Sequence, residues 1–229
     1  MYVETFAEQR SPEWHHLRLG KVTGSRFAAA AGICPYTSPG KFYRSSIGEE
    51  PAFEGNVFTA WGTTFEPEAI SKVEDVLGEF VTPAGFCISE KHPWLGVSPD
   101  GWLGDSYLEV KCPYSKELFE DIPYFYLPQI IGGMAITHKK SGVFACYIPD
   151  NAKNAETGRV PGLRVWRLDW SDATENYWKQ MYQLMFESYI RILTRDKSSI
   201  DARRPRGTKE LLREQMGESQ VVSEIQRIV

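Results

Sequence analysis

Residues 98–113 read SPDGWLGDSYLEVKCP, and the placement of the second half of this stretch decides the fold. Successive side chains of an extended strand point to opposite faces. Leu108, Val110 and Cys112 therefore share one face and suit a core, while Tyr107, Glu109 and Lys111 share the other. An acid and a base then sit less than ~7 Å apart on one face. Asp100 lies nine positions before Glu109, and a hairpin through GWLGDSY, with turns at Asp100-Gly101 and Gly104-Asp105, would fold it back beside that glutamate.

Two carboxylates that close repel one another unless something neutralises them. A divalent cation does so, and hard oxygen donors suit Mg²⁺, with the Val110 carbonyl as a further ligand. Lys111 would then hold a water or stabilise charge on a phosphate. A surface salt bridge on an exposed strand face explains the same spacing, and the pattern leaves both readings open. Glu66 lies one helical turn before Ile70, on the inward side of a helix. Compensation of the helix dipole is its plainer explanation.

The rest of the chain bounds the possibilities. Its 229 residues, 42% hydrophobic and 13% aromatic, suffice for one sizeable core. The formal net charge of −4 argues against a globally basic nucleic-acid coat, but not against a local basic groove. Cys34, Cys87, Cys112 and Cys146 are scattered without a CxxC pair, which speaks against zinc and for reduced thiols in a cytoplasmic protein. Met1 to Arg10 is polar and acidic, so no leader is expected, and no apolar run approaches a membrane span.

Ser11-Pro12-Glu13 opens a short helix carrying Trp14 and Arg18, and Ser25 precedes a second, RFAAAAG, stopped at Gly32. Lys41 to Gly48 suits a third helical segment. A longer helix is expected up to Leu77, beginning near Pro67 because proline is tolerated in a first turn. Short β segments follow at 80–89, 94–97 and 107–112, then helices at 115–121 and 124–137, strands at 142–148 and 163–170, and a long helix from Asp172. The composition shifts after Arg195. Residues 1–195 read as one domain and 196–229 as a helical extension of it that contacts a subunit or partner. The basic stretch ARRPR, 202–206, is either a contact with DNA or protein or a solvated linker. This order of elements suggests an α/β domain with a mixed central sheet.

In order, W-x-x-x-R-x-G at Trp14–Gly20, TGS at Thr23–Ser25, WG and FE at Trp61–Glu66, SPDG at Ser98–Gly101 and LEVKCP at Leu108–Pro113 resemble the PD-(D/E)XK nucleases. Specifically, they resemble the YqaJ-like viral recombinase exonucleases, the family of phage lambda exonuclease, from about Gln9 to Tyr147. The resemblance implies a restriction-endonuclease-like core with a mixed central sheet flanked by helices. It also implies Mg²⁺-dependent, processive 5′→3′ digestion of one strand of duplex DNA to mononucleotides, with two Mg²⁺ per site and Mn²⁺ as a substitute. The implied partners are double-stranded DNA ends, a ring-shaped homotrimer and a single-strand annealing recombinase. The setting would be the cytoplasm of a bacterial host, the gene carried by phage or prophage.

Carried over by residue, Asp100, Glu109 and the Val110 carbonyl would bind metal. Lys111 would position or activate the water, and Glu66 would serve the second metal or water side. Gln129 and Tyr126 would line the site, and Arg18 and Ser25 would bind the 5′-phosphate, with Trp14 beside them. Plainer readings stand for several of these: a solvated Arg18, an N-cap at Ser25, a satisfied polar Gln129, and Trp14 as core or pocket wall. The chain departs from the family at Ile131, where a second glutamine is usual, and in Ile33–Gly40, which lacks a basic loop. The wedge that splits the end base pair falls at Phe58 or Thr59. A nicking or structure-specific endonuclease and a non-catalytic DNA-end-binding module are the alternatives.

Overall fold

A computed structural model describes residues 1–7, 11–51, 55–114, 117–150, 158–198 and 207–229. Strand β1 (Tyr2–Thr5) precedes helix α1 (Pro12–Arg18). The Ser11 hydroxyl caps α1 by accepting from the Trp14 N–H at 3.1 Å, and Pro12 occupies the first turn, where no N–H is needed. Strand β2 (Val22–Thr23), a 3₁₀ turn (Gly24–Arg26) and helix α2 (Phe27–Ala30) follow, and then α3 (Pro39–Ser46) and the long α4 (Val57–Leu77). Five short strands come next: β3 (Val81–Thr82), β4 (Phe86–Ser89), β5 (Leu95–Val97), β6 (Gly101–Leu103) and β7 (Ser106–Lys111). The remainder runs α5 (Leu127–Thr137), β8 (Ser141–Ile148), β9 (Gly162–Asp169), α6 (Asp172–Thr194), α7 (Thr208–Gln215), α8 (Glu218–Glu224) and β10 (Gln226–Arg227).

The strands form two mixed sheets. The larger has the order β10-β9-β8-β7-β6-β3, and the smaller β1-β4-β5-β2. β7 and β8 are parallel, so the chain must cross over between them, and α5 is that crossover. Helices cover both faces of the larger sheet. Tyr107, Phe144 and Trp166 pack toward α5 and α6, while Leu108, Val110 and Val165 pack toward Ala69 and Val73 of α4. β7 is thus buried on both sides, and the surface-salt-bridge reading of Glu109 and Lys111 falls: Glu109 is 1% exposed.

Several boundaries differ from expectation. Helix α4 starts ten residues before Pro67, where the Asn56 side chain accepts from the N–H groups of Phe58 and Thr59 and the Thr59 hydroxyl accepts from the Asn56 N–H. This capping box and the burial of Ala69 and Val73 hold the helix through an exposed Pro67. Gly101 begins a strand rather than completing a turn, because β6 pairs with β7. Of the helix expected over 115–121, residues 115 and 116 lie outside the described residues and 117–121 are not helical. Ser25 sits within the 3₁₀ turn and is not an N-cap. The expected helical end gains β10, which adds an edge strand to β9. The stretch 202–206 lies outside the described residues.

Candidate active site

β6 and β7 form the hairpin that brings Asp100 to Glu109. The Asp100 N–H donates to the Leu108 carbonyl at 3.0 Å, and the Val110 N–H donates to Asp100 Oδ2 at 2.6 Å. Glu109 is held by three donors. Lys111 Nζ and Gln129 Nε2, the latter at 2.7 Å, both reach Oε1, while the Tyr107 hydroxyl reaches Oε2 at 3.0 Å. Gln129 lies in the first turn of α5, so the crossover helix starts at the carboxylates. The half-buried Tyr126 precedes it, with its ring centroid 5.4 Å from Lys111 Nζ.

Burial makes this cluster electrostatically tense. It pushes the Glu109 carboxyl up to about 8, and the Asp100 charge pushes the same way, against the pull of Lys111 and Tyr107. Burial also raises Asp100, opposed by Lys111 and the Val110 N–H. Lys111 is penalised by burial too, yet the charges of Glu109 and Asp100 override that penalty and raise its proton affinity. The two carboxylates thus face each other with one ammonium between two negative charges.

Their oxygens, with the backbone of Val110 alongside, fit a hard divalent cation, which would relieve the remaining repulsion. Asp100, Glu109 and the Val110 carbonyl are the groups that would hold it. Glu66 is half-buried on α4, and its charge acts on Cys112, the residue after β7. Among the described residues no three His, Cys, Asp or Glu side chains form a group that could hold a metal ion by themselves.

A second cluster adjoins the first. Arg18 donates to the hydroxyls of Ser98 and Thr23, both at 3.1 Å, and lies over the Trp14 ring, 4.0 Å from its centroid. Trp14 thus packs against Arg18, which is half-buried rather than solvated. Burial and then the charge of Arg26 lower the Arg18 guanidinium to about 10. Arg26 donates to the Ser45 and Ser46 hydroxyls, both at 2.9 Å. Neither arginine makes an ion pair among the described residues. Ser25 is exposed between them in the chain. The 3₁₀ turn reaches the first cluster through Gly24, where an added Cβ would lie 3.4 Å from Gln129 Cγ.

Two of these groups were missed from the sequence. Tyr107 was placed on the face of Glu109 by strand alternation, but alternation carries no sign of a hydrogen bond along the strand. Arg26 had no signal, since its proximity to Arg18 depends on the 3₁₀ turn.

The helix-flanked mixed sheets make this a restriction-endonuclease-like fold. The YqaJ-like viral recombinase domain matches residues 13–140, more than half of the chain, and the chain belongs to that family. It is 26% identical to protein D345L of African swine fever virus (strain Badajoz 1971 Vero-adapted), over 57% of this chain and 46% of D345L. The chain thus spans about half the length of the curated relatives it matches. Among solved structures, the alkaline exonuclease LHK-Exo from Laribacter hongkongensis superposes with a TM-score of 0.65 at 22% identity, covering 91% of this chain and 100% of that one. Its complex with dAMP gives 0.63 at 21% identity over the same shares. A phage-related exonuclease from Haemophilus somnus 129PT gives 0.56 at 14% identity, covering 76% of this chain and 96% of that one. Among the described residues no helix is long and apolar enough to cross a membrane.

Proposed function

We propose that this chain is a Mg²⁺-dependent exonuclease that degrades one strand of duplex DNA processively from a phosphorylated 5′ end, releasing mononucleotides and leaving a 3′ overhang for strand annealing. The observation that carries the proposal is the pairing of the buried Glu109 with the half-buried Asp100, with Lys111 and Gln129 bound to the same Glu109 oxygen. Family membership supports it, and so does the binding of dAMP, a mononucleotide, by the similar LHK-Exo.

Arg18, with Arg26 and Ser25 nearby, takes the terminal 5′-phosphate, because their positive charge lacks a carboxylate partner among the described residues. Tyr107 and Gln129 fix the orientation of Glu109. Lys111 keeps a cation where the scissile phosphate gains negative charge, a preorganised contribution of ~3–4 kcal/mol per donor. When bound, Mg²⁺ supplies an activated water and neutralises the leaving oxygen. Glu66 serves the water side from α4. A ring of three chains and an annealing recombinase complete the assembly, in the cytoplasm of a phage-carrying host.

The test is digestion of end-labelled linear duplex with Mg²⁺, comparing wild type with Lys111→Ala and 5′-phosphate with 5′-hydroxyl ends. Mononucleotide release by wild type alone, faster on phosphorylated ends, is expected. Cutting of a covalently closed circle would replace this reading with a nicking endonuclease. Binding of ends without any digestion would leave a DNA-end-binding module.

A further inference from the structure

We propose that the cavity at the far end of α5 is a binding site for single-stranded DNA, separate from the catalytic carboxylates. Helix α5 has 11 residues, about 16 Å at 1.5 Å per residue, with Gln129 at its start and this cavity at its end. The cavity has a volume of about 560 Å³ and is walled by the half-buried rings of Trp170, Trp178 and Tyr182. Four lysines line it, Lys91, Lys139, Lys140 and Lys179, against a single acid, Glu175.

The charge is only partly answered within the chain. Lys179 bonds Glu175 at 2.7 Å, and Lys139 bonds Asp105 at 2.9 Å. Lys91 and Lys140 are exposed and make no ion pair among the described residues, although the charge of Lys140 also acts on Asp105. His92 packs on Tyr182 with ring centroids 4.7 Å apart, and its proton affinity is lowered first by burial and then by the charge of Lys91. This patch stands out in a chain of net charge −4.

Lysines alone would suit any anion. Aromatic walls between them favour a ligand that alternates flat rings with negative charges, and single-stranded DNA has that form. A volume of this size accommodates about one or two nucleotides, more than one carboxylate needs. This choice of ligand rests on the nuclease reading, in which digestion of one strand leaves the other single. The cavity would hold that strand after it leaves the duplex.

The test uses the full chain with Lys111→Ala in EDTA, so that the probe survives, and a fluorescein-labelled oligothymidylate of twelve residues. Adding Lys91→Ala and Lys140→Ala should weaken binding at least ~10-fold in anisotropy and lower the salt slope by about 1.4, two phosphates at ~0.7 each. A base-free oligomer of the same length should bind ~10-fold more weakly than oligothymidylate, because stacking is lost. Unchanged affinity and slope in the double variant would overturn the proposal. Equal binding of the base-free oligomer, with displacement by polyglutamate, would overturn it in favour of an acidic peptide. In the otherwise native chain, Lys91→Ala with Lys140→Ala should leave single-turnover digestion of a short phosphorylated duplex within about twofold, and a parallel loss would place the cavity in the catalytic path. Failure of the native chain to digest at all defeats the nuclease reading, whereas the binding measurement reads the cavity independently.

Discussion

Glu109 has a donor on each oxygen, and the three donors come from different places in the chain: Tyr107 and Lys111 from its own strand, Gln129 from the crossover helix. Removing one donor from a buried carboxylate leaves it incompletely paired, at a cost of about 1–3 kcal/mol. Tyr107→Phe keeps the ring and deletes the donor. It should lower unfolding free energy by that amount in urea titration and raise the Mg²⁺ concentration needed for half-maximal digestion. If both stay at wild-type values, the hydroxyl does not orient Glu109. Lys111→Ala removes the cation and should slow single-turnover digestion by about 10²–10³-fold, with near-UV circular dichroism checking that the chain stays folded. The acid, the base and the returning aspartate were legible in the sequence because strand alternation and a hairpin fix their directions. Gln129 took its place from resemblance alone. Tyr107 and Arg26 were not legible, because each depends on a contact set by tertiary packing.

Two adjacent glycines sit inside α5, where each disfavours a helix by roughly 1 kcal/mol relative to alanine. Their reason is close approach. A Cβ on Gly133 would lie 2.3 Å from the Tyr107 ring, and one on Gly132 would lie 2.5 Å from Phe27. Gly133→Ala should therefore destabilise by about 1–3 kcal/mol of overpacking in spite of its better helix propensity, and it should impair digestion by displacing Tyr107. A more stable variant in thermal unfolding would refute this account. At the start of α4, Thr59 is engaged in the capping box, whereas Phe58 is 57% exposed and meets Tyr114 edge-on, with centroids 5.4 Å apart. Phe58 is thus the better candidate wedge. Phe58→Ala should barely move the melting temperature yet slow digestion of blunt ends several-fold more than of ends already frayed. Equal slowing on both substrates would remove the wedge role. The start of α1 was legible because Ser11 and Pro12 mark it, whereas the capped starts of α3 at Pro39 and of α4 at Val57 were placed too late. The start of α4 was misplaced because Pro67 reads locally as a first-turn residue, and only burial of Ala69 and Val73 reveals that the helix continues. β10 escaped notice because two residues carry no periodicity, and their pairing with β9 is a long-range event.

At the scale of the whole molecule, the charge distribution poses a problem for processivity. A chain of formal net charge −4 has no overall attraction for DNA, and among the described residues the positive groups assigned to the site are Lys111, Arg18 and Arg26. Contacts with a handful of phosphates weaken steeply as salt rises, since each released counterion adds to the slope. A nuclease held to its track by those contacts alone would dissociate often at physiological ionic strength. A ring closed around the duplex retains its substrate by topology instead, and retention by topology has no counterion term. The trimer proposal therefore predicts that initiation and continuation separate. Raising salt from 50 to 200 mM should cut the rate of initiation on linear duplex by at least tenfold while leaving the length digested per encounter nearly constant. The measurement is digestion of end-labelled duplex started with Mg²⁺ and challenged at once with excess unlabelled DNA. If run length shortens with salt as steeply as initiation slows, phosphate contacts rather than enclosure hold the DNA. The ring would then have to be abandoned, although the chemistry at Asp100, Glu109 and Lys111 would not.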